Sequence, residues 1–441
     1  MKLGGWGNYP VIEAPLVRAR YADELAEFLG RSEHRIARGN GRSYGDAAVC
    51  PELTIDMRGM DRLLAFDQRA GLLRCEAGLL LQDLLDLIVP RGWFVPVVPG
   101  TSLVTIGGMA AADVHGKNHH LDGGFSRHVV SLDLLCGDGE MRQCSPSKHP
   151  ELFAATLGGM GLTGIILSVT VRLRPLPSVW IEQQVRVAHG LDEAMAHFEA
   201  TFDWPYSVAW IDGLARGHRL GRSLLLLGKH LQPDALPARL ASRALAWSGL
   251  RMRDLPLHAP GFALNRHLVR AFNAAYFQRG ARRTRPQLVG MREYFFPLDA
   301  IGQWNRLYGR RGLLQFQSVL PLAASRAGLT AMLKLTSERG AGSMLAVLKR
   351  MGESAGPLSF PMPGYTLAMD FPNTADNQRL LRELEAVSSD HGGRIYLAKD
   401  ACAGPDSLRQ GYPRLGEFQA LRSKYQAASF RSALSDRLEL T

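Results

Sequence analysis

The chain has no apolar run approaching the roughly twenty residues needed to cross a bilayer, so no helical membrane span is predicted. Its opening stretch, Met1 to Ala14, has no apolar core of signal-peptide length, and export is not expected. Cysteine is scarce: Cys50, Cys75, Cys136, Cys144 and Cys402 are an odd number without metal-ligand spacing, which argues against a disulfide scaffold or zinc module and for reduced thiols in a cytoplasmic protein. There is no internal repeat and no low-complexity tract. No Gly-Lys-Ser or Gly-Lys-Thr closes a Walker phosphate loop. Acidic residues are in deficit, 41 against 52 Lys and Arg, leaving a net charge of +11. With 46% hydrophobic residues over 441 positions the chain can bury a large core, and its length predicts two or three domains.

What the chain does have is glycine in two loops. Arg38-Gly39-Asn40-Gly41-Arg42-Ser43-Tyr44-Gly45-Asp46 puts glycines on nearly alternate residues beside two arginines. Glycine reaches positive φ cheaply and lets amide N–H groups approach an anion with no Cβ in the way. A Rossmann fingerprint would need glycine where Tyr44 stands, followed by a helix. Taken alone, this loop could equally be a set of turns. The second loop, Pro99-Gly100-Thr101 with Thr105-Ile106-Gly107-Gly108, runs into the small residues Met109 to Ala112, where a flat ring system could approach closely. Together the loops predict backbone wrapped around a flavin dinucleotide.

His115-Gly116-Lys117-Asn118-His119-His120 follows directly. His115 and His119 have the i, i+4 spacing of zinc helices, but Gly116 and Asn118 are poor helix interiors and no glutamate follows His115 as a hydrolytic base. A cofactor or substrate wall is the expected role, with a structural polar cluster as the alternative, and no metal is predicted.

These motifs, together with Leu157-Gly158-Gly159-Met160-Gly161-Leu162-Thr163-Gly164-Ile165-Ile166, Leu314-Gln315-Phe316-Gln317, Asp370-Phe371-Pro372 and Tyr396-Leu397-Ala398-Lys399-Asp400, resemble the vanillyl-alcohol-oxidase-type FAD enzymes. Among them the chain is most similar to the decaprenylphosphoryl-β-D-ribose 2′-oxidase family, over nearly its whole length. The resemblance implies an α+β fold: a PCMH-type FAD-binding domain over 1–178, completed by 394–441, and a substrate domain over 179–393 with an antiparallel sheet flanked by helices and a basic, mobile 239–285 segment. It implies that Arg38, Gly39, Asn40, Gly41, Arg42, Ser43, Tyr44 and Gly45 wrap the FAD pyrophosphate. Gly100, Thr105, Ile106, Gly107 and Gly108 would line the ribityl chain and flavin, Ala112, Asp113 and His115 would complete the ring wall, Ile165 or Ile166 would lie near the adenine, and Tyr396 would approach the flavin. Related oxidases that bond flavin covalently often use histidine where this chain has Arg42, so the FAD is expected to be noncovalent.

The resemblance also places Tyr44, His115, Lys117, Gln315, Gln317, Lys349 and Lys399 at the substrate. Hydride transfer from a carbinol needs that carbon held close to the flavin while the hydroxyl proton leaves, hence a donor–acceptor cluster and a base. Lys399 leads as the base, because a desolvated lysine has its pKa lowered toward neutrality. His115 and Tyr44 are the alternatives, with Lys117, Gln315, Gln317 and Lys349 binding substrate. One departure is Ala368, where some members carry a thiol. The implied reaction is oxidation of the 2′-hydroxyl of a polyprenylphosphoryl ribose, the first half of an epimerisation to the arabinose form. Its partners would be a short-chain reductase for the keto product and a quinone or other electron acceptor. An oxidase of a soluble sugar, alditol or aldonolactone is the alternative.

The positive charge concentrates between Arg239 and Arg285, where ten arginines face one acidic residue, Asp254. Trp247, Leu250, Met252, Leu255, Phe262, Leu264, Leu268, Phe272, Tyr276 and Phe277 are interleaved with them. Arginine beside exposed aromatics suits an anionic membrane surface, predicting a cytoplasmic, peripherally membrane-associated protein; no nucleic-acid motif accompanies it. Alternation predicts strands at Leu53 to Asp56, Leu72 to Ala77, Val129 to Leu135, Thr163 to Arg174 and Ser207 to Ile211, and helical periodicity predicts helices over Leu80 to Val89, Ala324 to Glu338 and Asn377 to His391. Pro175-Leu176-Pro177 marks a boundary, after which helices are expected on one face of an antiparallel sheet. The segment Asp406 to Leu440 is expected to be helical and to pack back on the FAD domain.

Overall fold

The strands Leu313–Pro321 and Gly364–Pro372 pair antiparallel along their whole length near one end of a large sheet. Cross-strand partners share a face, so the pairs Gln315–Asp370, Gln317–Ala368 and Val319–Thr366 line one side. The same register continues sideways through Lys349 and Val347, then Trp210, Leu224 and Val187. Among the described residues the sheet has eight strands in the order Gln287–Gly290, Trp180–Ala188, Ser223–His230, Tyr206–Ile211, Ala346–Met351, Gly364–Pro372, Leu313–Pro321 and Arg394–Ile395. The computed structural model describes residues 1–260, 264–283 and 285–440; of the residues singled out in the basic segment, Phe262 lies outside them.

The opposite face carries Phe316 and Met369, both buried, under the helices Leu322–Arg339 and Ala375–Asp390, whose Leu329, Met332, Leu333 and Leu384 are fully buried. The expectation of helices on one face fails at one end. The helix Arg266–Ala281 lies on the Gln315–Lys349 side, where Phe277 packs with Trp210, Leu224, Val185 and Val187. An apolar half-face requires a cover, and Gly280 lets the helix backbone come close: a Cβ there would lie 2.1 Å from Leu224 Cδ1.

Residues 16–172 build two further sheets of more than two strands. One is parallel, Leu16–Arg18, Thr54–Asp56 and Ile36–Arg38. The other is antiparallel, in the order Met141–Cys144, Val129–Leu135, Ile165–Arg172, Leu72–Glu76 and Leu63–Asp67. Leu25, Phe28, Ile55, Ile165 and Phe430 form a core between them. The fold is therefore α+β. The expected helix over Leu80 to Val89 is Leu81–Ile88, and the strand Val129–Leu135 has the bounds its alternation predicted.

The closing segment is three helices, Pro405–Gly411, Leu415–Lys424 and Ala433–Arg437. The buried Arg422 guanidinium donates to the carbonyls of Leu162, Ala427 and Phe430. Arg437 bridges Asp46 and Asp400, so the chain end is fastened to the first glycine loop. That loop also meets the residues after Arg394–Ile395: Tyr44 N donates to Ala398 O at 2.9 Å, and a Cβ on Gly45 would lie 2.0 Å from Asp400 O.

Candidate active site

The Ile36–Arg38 strand delivers the chain into residues 39–45. The amide N–H groups of residues 39–43 donate to no group among the described residues. Gly41 is left-handed at φ +60°, and a Cβ on Gly39 would strike Thr105 Oγ1 at 2.2 Å. Thr105 in turn caps the helix Ile106–Ala111, its hydroxyl accepting from Gly108 N at 3.2 Å. Asn40 Nδ2 donates to Leu103 O at 2.7 Å. The two loops are thus one object. Gly108 is exposed between buried neighbours, Ala111 and Ala112 are half-buried, and nothing lies within 4 Å of a Cβ on Gly100. A row of unspent amides beside bare backbone is the cradle that a dinucleotide diphosphate and its ring require, and FAD fits it.

The side chains of this region have other employment. Arg38 donates to Gly4 O and Ala48 O. Arg42 stacks on Trp6 at 4.3 Å and donates to Asn40 O. The Asp113 carboxylate accepts from Ser126 N and the Ser359 hydroxyl, fastening the small-residue wall to the segment before Phe360. Ile165 and Ile166 are both core residues. Tyr396 donates to Ala112 O at 3.1 Å, its ring 5.0 Å from His115 and 4.7 Å from Phe360.

Facing this wall is the polar half of the sheet. Lys399 Nζ sits 3.9 Å above the Tyr44 ring. Gln315 Nε2 donates to Asp370 Oδ1. Gln317 Nε2 lies 2.9 Å from His115 Nε2 and 3.2 Å from Thr366 Oγ1. Lys117 donates to Tyr294 O and lies 4.2 Å over that ring, while its own carbonyl accepts from Ser207 N. The structure thus gathers Lys399 with Tyr44, Gln315 and Asp370, and His115 with Gln317.

Burial dominates the electrostatics. It lowers Lys117 to about 7 and Lys349 to about 8, with Lys349 adding repulsion at Lys117. Burial likewise lowers Lys399, which Asp370 partly offsets, and raises Asp370 above the usual carboxylate range. His115 is pushed well below the ordinary imidazole value by burial and then by Lys349, His119 and Lys399. Burial and Asp370 hold the Tyr44 phenol up.

Sequence reasoning missed Asp370, Thr366, Phe360 and Asp299 as parts of the site. The first two were within reach, since Asp370 and Thr366 fall on one face of their strand by the two-residue period, as Gln315 and Gln317 do on theirs. Asp299, which accepts from Ser102 N and Oγ at 2.7 and 2.6 Å, carries no local signal. Part of the basic segment is also spent internally: Trp247 donates to Asp86 Oδ1 at 2.6 Å and lies under Arg292.

Comparison with known proteins bears on this geometry. A family described as FAD binding domain matches residues 15–145. Decaprenylphosphoryl-β-D-ribose oxidase of Mycolicibacterium smegmatis is 35% identical over the whole of this chain and 97% of its own length. L-gulono-1,4-lactone dehydrogenase of Mycobacterium tuberculosis is 24% identical over 95% of both chains. L-gulonolactone oxidase of Mus musculus is 33% identical over 31% of each.

Proposed function

The chain belongs to the decaprenylphosphoryl-β-D-ribose oxidase family, and on that premise we propose that it oxidises, with FAD, the 2′-hydroxyl of a polyprenylphosphoryl-β-D-ribose to the 2′-keto sugar. The observation that carries this reading is one sheet face on which Gln315, Gln317, Lys349 and Asp370 gather with Lys399 and Tyr44 against a glycine-rich cleft.

Residues 39–43 would hold the pyrophosphate through backbone amides, and Gly100, Thr105–Gly108 and Ala112 would admit the ring because they carry little or no side chain toward it. FAD, when bound, supplies the acceptor for the two electrons of the carbinol C–H. Lys399, whose ammonium form is disfavoured by burial, takes the hydroxyl proton on Nζ. Asp370 tempers that effect and orients Gln315 toward the sugar. Lys117 and Lys349 supply charge for the phosphodiester: an anion raises a lowered lysine pKa, so binding itself protonates them. Residues 1–178 with 394–441 act as the cofactor unit and 179–393 as the substrate unit.

The surroundings extend the reading. The helix Arg266–Ala281 buries Val269, Asn273 and Phe277 and exposes Leu268, Phe272 and Tyr276, at 49, 41 and 41%, among Arg266, Arg270 and Arg279. An apolar strip edged with arginine suits an anionic membrane surface presenting a polyprenyl substrate. Among the described residues no helix is long and apolar enough to cross a membrane. Turnover requires an electron acceptor, a quinone or similar oxidant, and the keto sugar is the substrate a short-chain reductase would take on.

The test is the visible spectrum of the purified holoenzyme during anaerobic addition of a polyprenylphosphoryl ribose. Bleaching of a flavin band, with the flavin released by acid or heat, is expected. Bleaching by L-gulonolactone and not by the lipid sugar would transfer the chain's chemistry to that of its more distant relatives.

A further inference from the structure

We infer that a relay ending on Thr366 holds His115 in the Nδ1–H tautomer, which makes Thr366 a positioning residue and His115 a hydrogen-bond donor to the substrate instead of its base. The inference rests on the sugar-oxidation reading above for its catalytic consequence, but the tautomer follows from geometry alone.

The relay starts at a group with one possible role. Ser318 O is a carbonyl and only accepts, and Thr366 Oγ1 lies 2.8 Å from it, so the threonine hydrogen is committed there. Gln317, 3.2 Å away from the same hydroxyl oxygen, must then donate to it, which fixes the amide with Nε2 on this side. That Nε2 is also 2.9 Å from His115 Nε2 and directs its second hydrogen there. His115 Nε2 therefore carries the lone pair, and in a neutral imidazole the proton is on Nδ1. Burial, with Lys349 nearby, keeps the ring neutral.

Nδ1 of His115 is buried with no partner among the described residues. The flanking Phe360 ring has no acceptor atom, and the Tyr396 hydroxyl, which donates to Ala112 O, makes no hydrogen bond to it. His119, edge-on at 6.3 Å, is fixed in the complementary sense: Nδ1 accepts from Gly352 N at 3.0 Å, and Nε2 is left without a partner among the described residues. Two unspent imidazole donors with no acceptor between them call for an oxygen-bearing ligand. A ring whose free nitrogen already bears a proton cannot take the one leaving the substrate hydroxyl. The Tyr44 phenol, pushed up by burial and Asp370, does not ionise near neutrality. The O–H bond therefore breaks toward Lys399 Nζ, turning amine into ammonium.

Holoenzyme labelled with ¹⁵N-histidine, its His115 signals assigned by their loss in His115→Asn, reads the tautomer directly. The expected result is a protonated Nδ1 and an unprotonated Nε2. Thr366→Val frees the amide to flip, so it should mix the tautomers and slow anaerobic flavin bleaching by polyprenylphosphoryl ribose about fivefold to tenfold; Thr366→Ser should restore both. Gln317→Glu presents only an acceptor, so Nε2 should gain a proton even if the valine variant fails to hold flavin. A proton on Nε2 of the wild type overturns the inference, as does a valine variant with unchanged tautomer or unchanged bleaching. If the wild-type flavin ignores the lipid sugar, the functional reading fails while the tautomer is still decided by resonance.

Discussion

One face of the eight-stranded sheet is two surfaces. Across Leu313–Pro321, Gly364–Pro372 and Ala346–Met351 it presents Gln315, Gln317, Asp370, Thr366 and Lys349; across Tyr206–Ile211, Ser223–His230 and Trp180–Ala188 it presents Trp210, Leu224, Val185 and Val187. Strand period and register are the same in both halves. What differs is the cover. A helix seals the apolar half through Phe277, whereas the polar half meets a cleft of bare backbone. Chemistry on this sheet depends on where a cover is withheld.

The sharpest way to test that division is to remove the proton acceptor from the open half. Lys399→Met should slow flavin reduction by roughly 10²–10⁴-fold while FAD stays bound, measured by stopped-flow under anaerobic conditions; a rate near wild type would return the base role to another group. In the wild type that rate should rise with pH as Lys399 loses its proton and level off well below the pH at which an ordinary lysine titrates, because burial disfavours the ammonium.

The sealed half should respond oppositely. Phe277→Ala removes a buried ring packed on Trp210 and Leu224 and should cost about 3 kcal/mol of stability, read by chemical denaturation, with the rate of flavin reduction unchanged. A large loss of rate with little loss of stability would dissolve the distinction between the halves. A smaller effect is expected from Asp370→Asn. The carboxylate supports the Lys399 ammonium, so its loss should move the pH–rate profile to lower pH and reduce the plateau about tenfold through a misplaced Gln315. A profile moved to higher pH would contradict the pairing. Smallest is the outer surface: Leu268 and Phe272 replaced together by serine should weaken sedimentation with anionic liposomes while costing less stability than Phe277→Ala. Unchanged sedimentation would remove the helix from any membrane contact.

Much of this site was legible in the chain because it is written in short-range code. Gln315 and Gln317 alternate with Leu314 and Phe316, so a shared face follows from the strand period alone, and the glycines of residues 39–45 announce close backbone approach wherever they fold. The unread parts depend on distant residues. That Arg38 donates to Gly4 O and Ala48 O, and Trp247 to Asp86, could not be read from their neighbours in the chain. Asp299 reaches the second glycine loop from far along the chain, and no local pattern marks a carboxylate for that task.

The fastening of the first glycine loop by Ala398, Asp400 and Arg437 bears on how the protein is made in the cell. The amides that would receive the dinucleotide leave the ribosome long before the segment that holds their loop in place. Until that segment has docked, the loop lacks its fastening. Arg437→Ala should accordingly yield a protein that loses colour before it loses solubility.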